Sequence, residues 1–248
     1  MVEVASHPNP KLLVFGGGGA VGRAIMEGAL SRKWGVVATT RKFVPSETSS
    51  PEQNRKATWI TVDPFAEDFT ASVLQSNGPY SAVCWANGDN INDSIYTVDQ
   101  LKHWELYKAN CLYIVLTLKG LLDLGLLTKP ARLCVISSIW QRIARQNKLS
   151  YTMTKAALQG LILSLSADLA PDGHLVNAVL PGALDTPMTR TNLLPRQIEQ
   201  LRTATMFNRL PALGDVASLV LYLCSPDNTG VTGQFIAADL GFSHVRLI

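Results

Sequence analysis

A chain of 248 residues with 47% apolar and 17% charged residues and a net charge of +3 can bury a substantial core, and it is too apolar to be disordered throughout. Lys and Arg are scattered rather than massed, so there is no electrostatic case for a nucleic-acid partner. The opening MVEVASHPNPK lacks an apolar stretch of signal-peptide type, and no leader is expected.

Taken in chain order, apolar runs predict strands at 11–15, 35–40, 58–62, 81–86, 131–137, 174–180 and 234–238. Helical periodicity predicts helices at 20–33, 65–76, 98–127, 150–170, 192–204 and 214–224. Strands alternating with helices imply right-handed βαβ crossovers and a parallel, doubly wound sheet. No repeat or second domain is visible, so residues 1–248 read as one α/β domain. The polar stretch Pro45–Asn54 reads as a surface loop. The longest apolar run, Cys111–Leu127, is interrupted by Lys119 and Asp123. It is too short to span a bilayer comfortably, so it reads as a buried helix and no membrane partner is expected. Cysteines 84, 111, 134 and 224 form no C-x-x-C pair, and histidines 7, 103, 174 and 244 have no ligand spacing. We expect neither disulfide nor metal, and a reducing cytoplasm as the setting.

Two local patterns carry chemistry. KLLVFGGGGAVGRAIM (11–26) is a strand, a glycine turn and a helix start. Glycines let backbone approach a ligand closely, and a helix N-terminus offers N–H donors and a positive dipole end to a pyrophosphate. Two frames fit the turn: Gly17, Gly19 and Gly22, or Gly16, Ala20 and Gly22. The second pattern is Tyr151 and Lys155 in SYTMTK, four apart on one helix face, with Ser138 thirteen residues upstream. A phenol titrates near pH 10, too high for efficient proton transfer at pH 7, and a nearby cation lowers that value. Gly16, Ala86, Ser138 and Pro181 all lie just past predicted strand ends, where doubly wound sheets bind ligands.

With both patterns in view, the chain resembles the short-chain dehydrogenase/reductase family over nearly its whole length. The family's glycine turn corresponds to Phe15-Gly16-Gly17-Gly18-Gly19-Ala20-Val21-Gly22, and its N-A-G stretch to Ala86-Asn87-Gly88. Its helix asparagine is similar to Asn110. Its catalytic serine, tyrosine and lysine are similar to Ser138, Tyr151 and Lys155. The stretch that embraces the nicotinamide is similar to Pro181, Gly182, Leu184 and Thr186, and VTGQFIAADLGFS resembles the last strand. Phe15 stands where the family has threonine, Ala20 where it has glycine, and Ala86-Asn87 inverts an Asn-Ala order. The resemblance implies a single Rossmann-type sheet flanked by helices, with a substrate lid at 183–212 containing Met188, Arg190, Leu193, Leu194, Met206 and Phe207.

The resemblance also implies a nicotinamide cofactor. An NAD enzyme places Asp or Glu at the end of the second strand; VVATTRK has Thr39, Thr40, Arg41 and Lys42 there. Hydroxyls and a guanidinium welcome a 2′-phosphate, so NADP(H) is expected. Asp63 resembles the family's adenine-side aspartate. The implied reaction is hydride transfer between nicotinamide and a carbonyl or secondary alcohol, run as a reductase. Tyr151 would act as proton donor, Ser138 would hold the oxygen, and Lys155 would lower the phenol's pKa and bond the ribose. Asn110 would hold a water of a proton relay. Arg142, Arg145 and Lys148 in the loop 139–150 offer cations beside the substrate, whose identity the sequence leaves open. The alternatives are an idle NADP(H)-binding sensor or scaffold, and a nucleotide-sugar epimerase or dehydratase. The resemblance further implies a homodimer or homotetramer packed through helices 98–127 and 150–170. The first of these is apolar around much of its circumference, through Leu112, Ile114, Val115, Leu116, Leu118, Leu121 and Leu122. The tail ending in Leu247 and Ile248 is a further candidate for docking on a neighbour.

Overall fold

Leu12 to Phe15 have no solvent exposure, as a short run apolar on both faces requires of a central parallel strand. The computed structural model describes residues 9–41, 56–67 and 70–245. Seven parallel strands form one sheet: β1 (Lys11–Phe15), β2 (Gly35–Thr40), β3 (Thr58–Thr61), β4 (Tyr80–Trp85), β5 (Leu127–Ile136), β6 (Leu175–Pro181) and β7 (Phe235–Ala238). Their order is β3-β2-β1-β4-β5-β6-β7. The winding reverses between β1 and β4, and that switch point opens a crevice at the carboxyl ends of the strands.

Side chains alternate across each strand, and the two faces build two cores. Leu13 and Phe15 of β1 join Val83 and Trp85 of β4, and are covered by helices α3 (Tyr113–Asp123) and α4 (Leu149–Asp168) through Ile114, Leu118, Leu158 and Ile162. Leu12 and Val14 face the other way, with Cys84 and Cys134, under helix α1 (Ala20–Ser31) and a second helix at Leu213–Leu223 through Ile25, Met26, Val216 and Val220. Phe15 stacks on Trp85 at 5.6 Å between ring centroids. The Trp85 indole donates to Thr117 Oγ1 at 2.9 Å, which satisfies its polar edge inside the core.

Three predicted helices differ. The one expected at 65–76 is a short 3-10 stretch at Ala71–Asn77, of whose residues only Leu74 is buried; one anchor does not hold an amphipathic helix. The long helix expected at 98–127 is broken into α2 (Gln100–Tyr107), a π-helical turn (Lys108–Leu112) and α3. Leu127 opens β5 rather than ending that helix, because Gly125 takes φ +62 and stops it. The helix expected at 192–204 is two pieces, α5 (Pro187–Asn192) and α6 (Pro195–Thr203), separated by extended Leu193 and Leu194 ahead of Pro195. The final helix, Leu213–Leu223, becomes α7. No helix among the described residues is long and apolar enough to cross a membrane. The loop Pro45–Asn54, Lys42, His7, Leu247 and Ile248 lie outside the described residues, as does the side chain of Met188.

Candidate active site

The glycine turn closes on itself. Gly16 has φ +80, and a Cβ there would lie 2.6 Å from the Asn87 backbone nitrogen; one on Gly22 would lie 2.3 Å from the Gly16 carbonyl oxygen. Gly17 is packed against Ala38 and Met26, whereas a Cβ on Gly18 would meet nothing within 4 Å. Gly16 and Gly22 are therefore the pair that geometry demands, which selects the frame with Ala20 between them. The hydroxyl lost with Phe15 is replaced from the neighbouring strand. Gly16 N–H donates to Thr39 Oγ1 at 3.3 Å and Gly17 N–H to the Thr39 carbonyl at 3.1 Å. Gly19 caps the start of helix α1 without a side chain, and the first turn carries no acid, leaving donors for an anion.

Two cavities meet over this turn. One, of about 210 Å³, runs from Gly16, Gly18 and Gly19 to Thr40 and Arg41. The other, of about 370 Å³, holds Ala20, Val21, Ser138, Tyr151, Lys155, Pro181, Gly182, Leu184 and Thr186 on its walls. Gly19, Ala86, Asn87 and Gly88 border both. Asn87 donates through Nδ2 to the Ala109 carbonyl at 3.0 Å, while its buried Oδ1 has no partner. A dinucleotide fits this shape: two joined cavities, a turn closed tightly at Gly16 and Gly22, helix N–H groups at its mouth, and an orphaned amide oxygen at the junction.

Ser138 stands just past β5, and Tyr151 and Lys155 are a turn apart on α4. Burial pushes the Tyr151 phenol above its ordinary value, and the Ser138 hydroxyl bonded to it works in the opposite direction. Burial lowers Lys155 to about 8. Its Nζ donates to the Ile136 carbonyl at 3.1 Å and lies 5.7 Å from the centre of the Tyr151 ring. The expected lowering of the phenol by Lys155 is thus corrected for this state: the ammonium lies over the ring and is tied to backbone, and desolvation dominates.

Asn110 sits in the π-helical turn, 1% exposed. Its Oδ1 accepts from Asp89 N–H at 2.7 Å, and its Nδ2 donates to the Asp89 carbonyl and to Thr154 Oγ1 at 3.2 and 2.9 Å. It lines neither cavity but locks the strand-end loop to α4, and a π-turn is a frequent mark of a functional position. Asp63 also lines neither cavity; its Oδ1 accepts from Phe65 N–H at 3.1 Å, and its charge acts on Tyr113, which lines the smaller cavity. Within the predicted lid, Leu193 reaches the larger cavity, Leu194, Met206 and Phe207 are exposed, and Arg190 pairs with Asp185 at 2.8 Å.

Sequence reasoning missed Tyr113 and Asp93. Tyr113 lines the smaller cavity; it lies one turn beyond Asn110 and so on the same helix face, which was the available signal. Asp93, 5% exposed, clamps the start of α4: its carboxylate accepts from the Ser150 backbone N–H at 3.0 Å and from the Ser150 hydroxyl, which also meets His103 Nδ1 at 2.7 Å. No sequence pattern announces that contact. Among the described residues no group of three or more His, Cys, Asp or Glu could hold a metal ion.

The family model described as enoyl-(acyl carrier protein) reductase matches residues 80–243, more than half the chain. An uncharacterized oxidoreductase, YmfI of Bacillus subtilis, is 25% identical over 243 residues, covering 94% of this chain and 99% of its own. A short-chain dehydrogenase family protein from Francisella tularensis superposes with TM-score 0.83 at 24% identity, covering 96% of this chain and 100% of that one. A variant of ElxO with NADPH bound also superposes with TM-score 0.83, at 20% identity over 95% of this chain and 99% of its own.

Proposed function

The chain belongs to the short-chain dehydrogenase/reductase family of oxidoreductases, and from that premise we propose that it is an NADP(H)-dependent reductase of a small carbonyl compound. The observation that carries this is the placement of Ser138, Tyr151 and Lys155 on one cavity wall, joined to a second cavity that ends at Thr40 and Arg41. No Asp or Glu among the described residues lines that second cavity, and a carboxylate there is what would repel a 2′-phosphate. The NADPH held by the structural relative ElxO agrees with this preference.

Gly16, Gly18, Gly19, Ala20, Val21 and Gly22, with the open end of α1, would hold the pyrophosphate; Thr40 and Arg41 would take the 2′-phosphate. Ala86, Asn87 and Gly88 would border the ribose, and Pro181, Gly182, Leu184 and Thr186 the nicotinamide. The cofactor, when bound, supplies the hydride. Tyr151 gives a proton to the oxyanion forming on the substrate, or takes one in reverse. Ser138 donates a hydrogen bond to that oxygen, and Lys155 holds the ribose. Asn110 positions this group by tying the Asp89 backbone to Thr154. Four buried, unpaired cysteines suit a reducing setting, and we assign the cytoplasm.

Two expected results test this reading. NADPH should bind at least about tenfold more tightly than NADH, a difference of roughly 1.4 kcal/mol, and Arg41→Ala should erase most of it; equal affinities measured by fluorescence titration would sink the cofactor assignment. We also propose assembly through α2, α3 and α4. Ile114, Leu118 and Leu121 face the core, but Leu101, Trp104, Val115, Leu122, Met153 and Leu163 are exposed, which suits a second copy. Light scattering should give a two- or fourfold multiple of 26.9 kDa, and a monomeric mass at micromolar concentration would refute assembly.

A further inference from the structure

The three cations of the loop 139–150 do not share one fate. Arg142 is exposed and donates to the Phe235 carbonyl at 2.9 Å, away from the site. Arg145 and Lys148 line the larger cavity beside Tyr151. Neither forms an ion pair with a described carboxylate. Arg145 rests on the Trp140 ring, 5.9 Å from its centre, leaving its planar fork of donors available. Lys148 is 3% exposed, and its Nζ lies 5.4 Å from the centre of the Tyr151 ring. It donates to Asn90 Oδ1 at 2.6 Å and to the Ile91 carbonyl at 3.1 Å, which accounts for two of its three N–H groups. A buried cation with no paired carboxylate is costly: burial and the neighbouring Arg145 pull Lys148 down to about 8, and the Asp93 carboxylate, committed to Ser150, only partly offsets them. The one carboxylate on the same wall is Asp89, at the exposed rim. Leu184, Leu193, Leu201 and Trp140 give the rest of the wall an apolar surface, beside the polar Asn90, Ser137, Thr186 and Thr189.

We infer that Arg145 and Lys148 form a subsite for the carboxylate of an oxo acid, whose carbonyl lies against Ser138 and Tyr151 and whose hydrocarbon part lies against the leucines. This rests on the oxidoreductase reading and names its substrate class. A guanidinium fork matches a carboxylate in a bidentate pair, and the ammonium adds a point charge. The cavity of about 370 Å³ must also admit the nicotinamide end of the cofactor, so the acid is small. The carbonyl gains a hydride from NADPH and a proton from Tyr151, leaving a hydroxy acid and NADP⁺.

The test compares short-chain oxo acids with their methyl esters and with phosphorylated carbonyl compounds, following NADPH consumption by the full chain. The acids should exceed their esters in kcat/KM by about tenfold or more, the span of one charged contact. Arg145→Ala should bring that ratio toward one through a higher KM for the acid, and Arg145→Glu should invert it. Arg145 is part-exposed and makes no hydrogen bond among the described residues, so its variants should fold; Lys148→Met is the second variant. An ester or phosphate preference in the unmutated protein overturns the subsite while carbonyl reduction stands. If no carbonyl compound is reduced, the oxidoreductase reading fails, and tryptophan fluorescence titrated with benzoate against benzamide decides the subsite. A benzoate-specific change that disappears in Arg145→Ala upholds it, and no difference between the two probes overturns it.

Discussion

Tyr151→Phe should lower turnover about 10²–10⁴-fold, the usual span for loss of a positioned proton donor, or roughly 3–5 kcal/mol of barrier, with NADPH affinity almost unchanged. The phenyl ring keeps the place between Lys148 and Lys155, whose Nζ atoms lie 5.4 and 5.7 Å from its centre, so packing survives and the proton alone is lost. Lys155→Ala should damage turnover and cofactor affinity together. It removes a cation beside the phenol and the donor to the Ile136 carbonyl. Steady-state kinetics with a separate fluorescence titration of NADPH distinguishes the two effects. A Tyr151→Phe enzyme with near-normal turnover would mean that another group supplies the proton.

Gly22→Ala should be a severely damaging single-methyl change in the turn. Its Cβ would sit 2.3 Å from the Gly16 carbonyl oxygen, a backbone atom that no rotamer change can move. Overpacking of this kind costs about 1–3 kcal/mol and occasionally more. For a chain of this size, about 3 kcal/mol corresponds to a fall in Tm of roughly 6–12 °C. Gly18→Ala, which meets nothing within 4 Å, should leave Tm within about 2 °C, since a surface change of this type stays within about 0.5 kcal/mol. Calorimetry on both variants checks the pair. Equal melting temperatures would show that the turn relaxes more easily than its closed geometry implies.

The contrast between those two glycines shows where sequence reasoning stops. Four consecutive glycines after an apolar run mark a strand, a turn and a helix start by composition alone. Which of them cannot carry a side chain depends on the approach of Asn87 and of the chain's own carbonyl at Gly16, contacts between residues far apart in sequence or folded back on themselves. The same holds for the long helix around Asn110. Its apolar periodicity was legible, but the π-turn that places Asn110 under Asp89 and beside Thr154 is set by hydrogen bonds across 21 and 44 residues.

Local pattern determined much of this protein. Short continuous apolar runs and period-3.6 patterns set the strand and helix order, since a central parallel strand buries both faces and a covering helix one. The i, i+4 spacing put Tyr151 and Lys155 on one side of α4, because helix geometry is the same in every chain. Tertiary structure decided what local pattern leaves open. It bonded Asp63 to the Phe65 N–H, gave Asp93 the start of α4, and let burial rather than Lys155 govern the Tyr151 phenol. It also separated Arg142, spent on a carbonyl, from Arg145 and Lys148, which border the cavity. Charge and burial at a point are sums over groups brought together by the fold, and a linear sequence does not contain those distances.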